Sequence, residues 1–324
     1  MKNYKLLFFA IFAFSFIYLV FIGIFFQFDL EDNSLWHYIG WSWTQSEDIL
    51  LKQFADNKPF GIYFLYFFSS KLFGINFFPL IILSIIVKIT TGCVIYLILR
   101  ELDQNKILSL TGLIIFYLFS SWPALDSGSI IFTETIVNLF FTLACYSILK
   151  SKNENLLIYF SVLFIFFGFI FKQTIIFTLP AFLFFIYIKF KDNFSSKIFK
   201  IIFFALTIFI IYFFLLINFG IPFEKIIKQT FFPLNHSSDV VMKITSRINN
   251  FIFQWTGVYK IIGIILIILS LHFYKRKNKL EENFFLINLF LIFIGVHFTG
   301  ITNGHQLSQI LPVISLLITI SLSN

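Results

Sequence analysis

The sequence predicts an all-α polytopic membrane protein, and three observations predict it. Of its 324 residues, 59% are hydrophobic and only 12% are charged, with a mean hydropathy of +0.90. No aqueous fold hides that much apolar surface. Apolar runs recur along the whole chain, many of them near the length that crosses a hydrocarbon core of roughly 30 Å at about 1.5 Å per residue. The basic residues behind the net charge of +8 lie in short clusters between these runs instead of on one patch. Such spacing orients helices in a bilayer and argues against a nucleic-acid partner. The 52 phenylalanines read as lipid-facing or interhelical packing.

Lys2 and Lys5 precede the first apolar run, residues 6–26, which no small-residue cleavage site follows. It reads as an uncleaved signal anchor with a cytoplasmic N-terminus. The polar stretch that follows is therefore outside. Residues 59–74, PFGIYFLYFFSSKLFG, are apolar but short and carry Ser69, Ser70 and Lys71. They predict an interfacial helix on the outer surface. Further spans are expected at 77–99, 107–121, 130–149, 156–171, 174–188, 199–219, 258–273, 284–298 and 307–322, about ten crossings in all.

This count places Lys2 and Lys5, Arg100 and Lys106, Lys150 and Lys152, Lys189 through Lys200, and Lys275 through Lys279 on one side, the cytoplasmic one. Both termini share that side. The chain is then a single transmembrane domain over 1–324, with a first outer loop at 28–76 and a second at 220–255. Cys93 and Cys145 fall inside spans, where neither a disulfide framework nor a metal spacing is supported, and count as core residues.

The outer side collects the polar features that no packing role absorbs. The stretch 31–61 gathers Glu31, Asp32, Glu47, Asp48, Lys52, Asp56 and Lys58. Asp32 precedes Trp36, Ile39 and Trp43, a spacing that predicts an amphipathic helix with its aromatic side toward the headgroups. Asp32 is either that helix's N-cap or a reactive carboxylate, with Glu31 its rival. Lys58 stands at the membrane boundary, where an anionic phosphate is the natural partner of a point charge and snorkelling is the alternative. Asp56 offers a cap or an ion-pair partner for it.

Glu134 lies near the outer end of its run, and an intramembrane carboxylate points to function unless it faces water. Lys172 interrupts an outer hairpin, as a second phosphate contact or as a turn residue. His305 and Gln309, four apart, share a helix face. A divalent metal on His236, Asp239 and His305 is an open alternative that the spacing does not demand. Lys88 is buried in its span, with a cavity-facing role the only one at hand. Phosphate loops, HExxH patterns and nucleophile elbows do not occur, which argues against a nucleotide-driven enzyme, a zinc protease and a serine hydrolase.

In their order along the chain these pieces resemble the polyprenyl-phosphate-sugar-dependent glycosyltransferases of the GT-C superfamily, which include aminoarabinose transferases and protein O-mannosyltransferases. Asp32 with Trp36 and Tyr38 resembles the family's acidic segment after the first span. DNKPFGIY at 56–63 is similar to its Asp-Lys-Pro-Pro-x-x-Tyr segment, with Phe60 in place of the second proline. LFGIN at 72–76, Thr133-Glu134, FKQT at 171–174 and GHQLSQILP at 304–312 complete the likeness. Asn33 stands where a Glu is frequent, and Gln306 where a Tyr is usual.

The resemblance implies a GT-C-like bundle and an inverting transfer. An acceptor hydroxyl on a glycan, lipid or protein attacks a sugar carried on polyprenyl phosphate, with Asp32 as general base. Lys58 and Lys172 would bind the donor phosphate, and Glu134, His305, Glu31, Asp56 and Gln309 would line the substrate cavity. The donor's tail would lie among membrane lipids. A lipid-linked oligosaccharide flippase or transporter would instead gather its polar groups at the bilayer midplane, with repeated halves. An O-antigen polymerase or ligase would share the lipid donor but call for arginines outside, where only Arg247 is expected. A non-catalytic scaffold is the remaining alternative.

Overall fold

In the computed structural model the described residues are 31–45, 58–121, 133–151, 155–231, 258–274, 279–298 and 304–323, with scattered helical residues between 9 and 20. They contain helices and no strand. We number them α1 (Glu31–Gln45), α2 (Phe60–Phe73), α3 (Phe78–Glu101), α4 (Lys106–Ser120), α5 (Thr133–Lys150) and α6 (Asn155–Phe171). Then follow α7 (Leu179–Lys189), α8 (Phe194–Asn218), α9 (Phe223–Phe231), α10 (Val258–Tyr274), α11 (Leu280–Phe298) and α12 (Leu311–Leu322).

By length and apolarity α3 and α8 are each able to cross a membrane, and shorter apolar helices accompany them. α3 is mostly buried within the bundle and α8 mostly exposed on its outside, as expected of a helix facing lipid. The expected spans at 77–99, 107–121, 156–171, 199–219, 258–273 and 284–298 coincide with helices to within a few residues, because unbroken apolarity is what the bilayer selects.

The bundle has two distinguishable ends. At one end the last turns of α3, α5 and α12 meet the start of α11 around a polar cavity of about 260 Å³ lined by Glu101, Asp103, Leu149, Lys279, Glu281, Glu282 and Ile320. Lys189, closing α7, donates there to the carbonyls of Ile148 and Leu149 at 3.0 and 2.8 Å. Asn105 caps α4 by accepting from the Leu108 amide at 2.9 Å. The described basic residues Arg100, Lys106, Lys150, Lys189 and Lys279 all fall at helix termini of this end.

Two of the expected spans begin irregularly at the other end. Residues 174–188 start as a 3₁₀ helix, Gln173–Thr178, before Pro180 opens α7. Residues 307–322 start as a 3₁₀ helix, Gly304–Ile310, before Pro312 opens α12. Proline lacks an N–H and is at home in the first turn of an α-helix, where that donor has no intrahelical partner. The chain turns more tightly ahead of it.

On this second end lie α1 and α2, packed against each other. Gly40 of α1 meets the α2 backbone so closely that a Cβ would stand 2.6 Å from the Tyr66 carbonyl carbon. Tyr66 Oη donates to Asn33 Oδ1 at 2.5 Å, both residues being fully buried. Trp36, Ile39 and Trp43 are buried in this seam, Trp36 edge-on to Tyr66 at 5.9 Å and Trp43 against Phe64 and Phe67 at 5.1 and 4.5 Å. The aromatic side of α1 therefore faces protein and not headgroups, a correction that follows from α2 offering an apolar surface at glycine distance.

α2 is fixed in turn at its start. A Cβ on Gly61 would lie 2.5 Å from the Ile170 carbonyl oxygen and 3.1 Å from Phe171, so the head of α2 rests on the last turn of α6. Gly61→Val is expected to cost about 1–3 kcal/mol through overpacking against backbone that cannot yield. The check is the thermal midpoint of the detergent-solubilised protein, which should fall for Gly61→Val and stay near wild type for Leu72→Ala on the exposed side of the same helix.

Candidate functional site

At the α1–α2 end the polar residues come from five separate stretches of chain. Glu31 and Asp32 open α1, and for these two the structure describes helix position and not the side chain. The helix N-terminus on which they stand favours negative charge. Trp36 follows Asp32 by one turn, and the Lys58 ammonium lies over its ring, 5.6 Å from the centroid. Lys58 is half-buried, and Pro59, extended at φ −62° and ψ 158°, sets the entry into α2. Lys58 and the head of α1 are thus neighbours, which the sequence places 26 residues apart. Asp56 lies outside the described residues.

Glu134 and Lys172 form a buried ion pair, with Lys172 Nζ donating to Glu134 Oε1. The other carboxylate oxygen accepts from Thr133 Oγ1 at 2.8 Å. Lys172 stands at the junction of α6 and the 173–178 turn, its amide bonded to the Gly168 carbonyl at 2.9 Å. Because Gly61 rests on Ile170, two residues before Lys172, the head of α2 and this lysine share one corner of the bundle.

The 304–310 turn closes the arrangement. Thr174 Oγ1 donates to Gln309 Oε1 at 2.6 Å, and Asn138 Nδ2, one turn beyond Glu134, donates to the Ser308 carbonyl at 2.9 Å. His305 belongs to this turn, its side chain undescribed. The structure therefore brings Glu134, Lys172 and Gln309 into one hydrogen-bonded neighbourhood and sets Lys58 beside α1. No group of three metal-ligating side chains occurs among the described residues. His236 and Asp239 lie outside them, as do most of the second outer loop and the first span.

Three residues that the sequence did not single out for this site belong to its surroundings. Asn33 ties α1 to α2 through Tyr66. Asn138 ties α5 to the 304–310 turn. Lys88 lines a cavity with Ser120, Thr135 and Ser308, level with the ends of α4 and α5 because α3 starts further out than its neighbours. A lysine in an apolar run was a visible signal. Its depth relative to the other helices was not.

His37, on α1 and only 3% exposed, packs on Phe77 at 4.4 Å between ring centroids. Burial pulls its pKa below the ordinary 6.5, against a smaller upward pull from the Asn76 backbone. Since the folded value is depressed, this contribution to stability is present above pH 6.5 and is lost as pH falls through the folded value.

Residues 57–217 match the model of the dolichyl-phosphate-mannose-protein mannosyltransferase family, one of the GT-C glycosyltransferases. The match takes in Lys58, Lys88, Glu134 and Lys172 and leaves out Asp32 and the 304–310 turn. No curated protein and no solved structure matches the chain.

Two outcomes are expected. Lys172→Met alone should destabilise by about 3–5 kcal/mol by stranding the Glu134 carboxylate, and Lys172→Met with Glu134→Leu should recover much of the loss, read from denaturant or thermal unfolding. Lowering pH from about 7.5 to 5.5 should reduce the thermal midpoint of wild type more than that of His37→Gln, because only the wild-type histidine gains on unfolding a proton that its buried ring resists.

Proposed function

From the family pattern that residues 57–217 carry, we propose that this GT-C-type glycosyltransferase moves a sugar from a polyprenyl-phosphate carrier to an acceptor hydroxyl at the outer face of the cytoplasmic membrane. The acceptor is a glycan, lipid or protein of the cell envelope. The observation that carries the reading is the placement of Lys58 over Trp36, one turn from Asp32 on the same helix. A general base and a phosphate-binding cation need to stand about one sugar apart, and the contact of Lys58 with Trp36, one turn from Asp32, supports such a pairing.

In this reading the end bearing α1 and α2 is external, and the end bearing Arg100, Lys150, Lys189 and Lys279 is cytoplasmic, as the excess of basic residues there favours. About ten spans cross the membrane, with both termini inside. A membrane-borne donor suits a site on a side where nucleotide sugars are absent. Its tail fits the apolar groove of about 420 Å³ lined by Phe209, Phe213, Phe214, Ile217 and Phe223 between α8 and α9, close to the same end.

Asp32 takes the proton of the acceptor hydroxyl as its oxygen bonds to the anomeric carbon from the face opposite the phosphate. The bond from that carbon to the phosphate oxygen breaks, and its electron pair leaves with the polyprenyl phosphate. Configuration inverts. No general acid is required, because the departing phosphate is already a stable anion, unlike the leaving group of a glycosidase. Lys58 meets the charge that develops on it. Lys172, which carries three N–H donors and places one on Glu134, acts as the second cation. Glu134, Gln309, His305, Glu31 and Asp56 shape the sugar and acceptor subsites.

Purified protein supplied with polyprenyl-phosphate sugars and envelope extract should transfer label. Asp32→Asn should lower the rate by about 10²–10⁴-fold and Lys58→Met by about 10²–10³-fold. Transfer by Asp32→Asn at the wild-type rate would remove Asp32 from the base role, and absence of transfer from every lipid-phosphate donor would overturn the reading.

A further inference from the structure

One residue past Glu134 along α5 begins the lining of a small chamber, whose polar groups come from Lys88 and Thr91 of α3, Ser120 of α4, Thr135 and Asn138 of α5, and Ser308 of the 304–310 turn. It leaves about 10 Å³ for the centre of a water-sized group, which is room for one oxygen atom and its hydrogens. Two of the lining hydroxyls bond within their own helices. Thr91 Oγ1 donates to the Val87 carbonyl at 2.8 Å, and Ser120 Oγ donates to that of Tyr117 at 3.3 Å.

Asn138 is engaged at one end only. It is 5% exposed, and its Nδ2 is engaged by Ser308, yet its Oδ1 is buried with no hydrogen-bond partner. An orphaned buried acceptor is costly, and native structures rarely keep one without a reason. The occupant that suits it must donate to Oδ1. Lys88 brings N–H donors to the same chamber, so the occupant should also accept. A carboxylate or phosphate oxygen accepts only and would meet Oδ1 as a like partner. An apolar group would do neither. A hydroxyl does both.

We infer that Lys88 and Asn138 form a specificity subsite for one hydroxyl of the transferred sugar, which donates to Asn138 Oδ1 and accepts from Lys88 Nζ. The inference rests on the transferase reading above. Its location supports the sugar as the source. Thr135 is the residue after Glu134, Asn138 follows Glu134 by one turn, and the turn that Asn138 holds is bound through Gln309 to Thr174, two residues from Lys172. The chamber is thus built into the same elements that would hold the sugar between phosphate and acceptor. Gln306 Oε1, also buried without a partner, belongs to that turn as well.

The test uses the full-length protein with the polyprenyl-phosphate hexose that the wild type transfers and the 2-, 3-, 4- and 6-deoxy forms of that donor. One deoxy donor should lose about 10- to 100-fold in kcat/KM, because it leaves Oδ1 unpaired. Asn138→Leu should bring parent and deoxy donor to within about threefold of each other, since neither then has an acceptor to meet. A wild-type series flat to within about threefold overturns the subsite while leaving the transferase reading intact, as does undiminished discrimination in Asn138→Leu. Should Asn138→Leu prove inactive or unfolded, the wild-type series alone decides. Failure of the wild type to transfer any hexose from these donors overturns both readings.

Discussion

The ion pair between Glu134 and Lys172 is the contact on which one end of the bundle depends. Both side chains are almost wholly buried, in surroundings where each charge alone would cost several kcal/mol. Each is therefore tolerable only where the other is. This fixes the start of α5 against the end of α6, and the second carboxylate oxygen, held by Thr133, fixes which rotamer of Glu134 is used. Once that corner is set, the 173–178 turn leaves it in a defined direction. Its Thr174 then meets Gln309, as Asn138 meets Ser308. Three chain segments far apart in sequence are registered by polar contacts that a lipid-embedded protein cannot leave unmade.

A second constraint, steric in kind, seats the α1–α2 layer on this corner. Gly40 lets α1 reach the backbone of α2, and Gly61 lets α2 reach the backbone of α6. The two contacts run in series, so the position of Lys58 follows from that of Ile170, and the position of Trp36 from that of Tyr66. The Asn33–Tyr66 bond between them locks rotation as well as distance. A lysine on a half-buried loop can then be held at a definite place without a helix of its own.

Much of the helix pattern was legible because hydropathy reports what lipid selects. The runs at 77–99, 156–171 and 199–219 needed no tertiary information, and the polar residues that gather at one end, Glu134, Lys172 and Gln309, were visible as interruptions of such runs. What stayed hidden was relational. Trp36 and Trp43 have the same spacing whether they face headgroups or another helix, and only the presence of Gly40 opposite Tyr66 decides between the two. Lys88 looked like a mid-span lysine because periodicity says nothing of axial offset. It is about 15 Å along α3 from Phe78, yet level with Ser120 and Thr135, because α3 projects past its neighbours. The pairing of Glu134 with Lys172 was likewise out of reach: each residue had its own rationale, and no rule of spacing joins positions 38 apart.

That pairing separates two lysines that the sequence treated alike. Lys172 has its charge balanced at hydrogen-bond distance by a carboxylate in a dry setting, so its field at a nearby phosphate is that of a dipole and falls off steeply. Lys58 is less buried, stands against the face of an indole ring and comes from a proline-restricted entry to α2. An aromatic face attracts a cation without neutralising it. In the proposed transfer the two lysines would meet the donor phosphate from unlike settings, one against an aromatic face and the other against a buried carboxylate, so their removal would be felt differently.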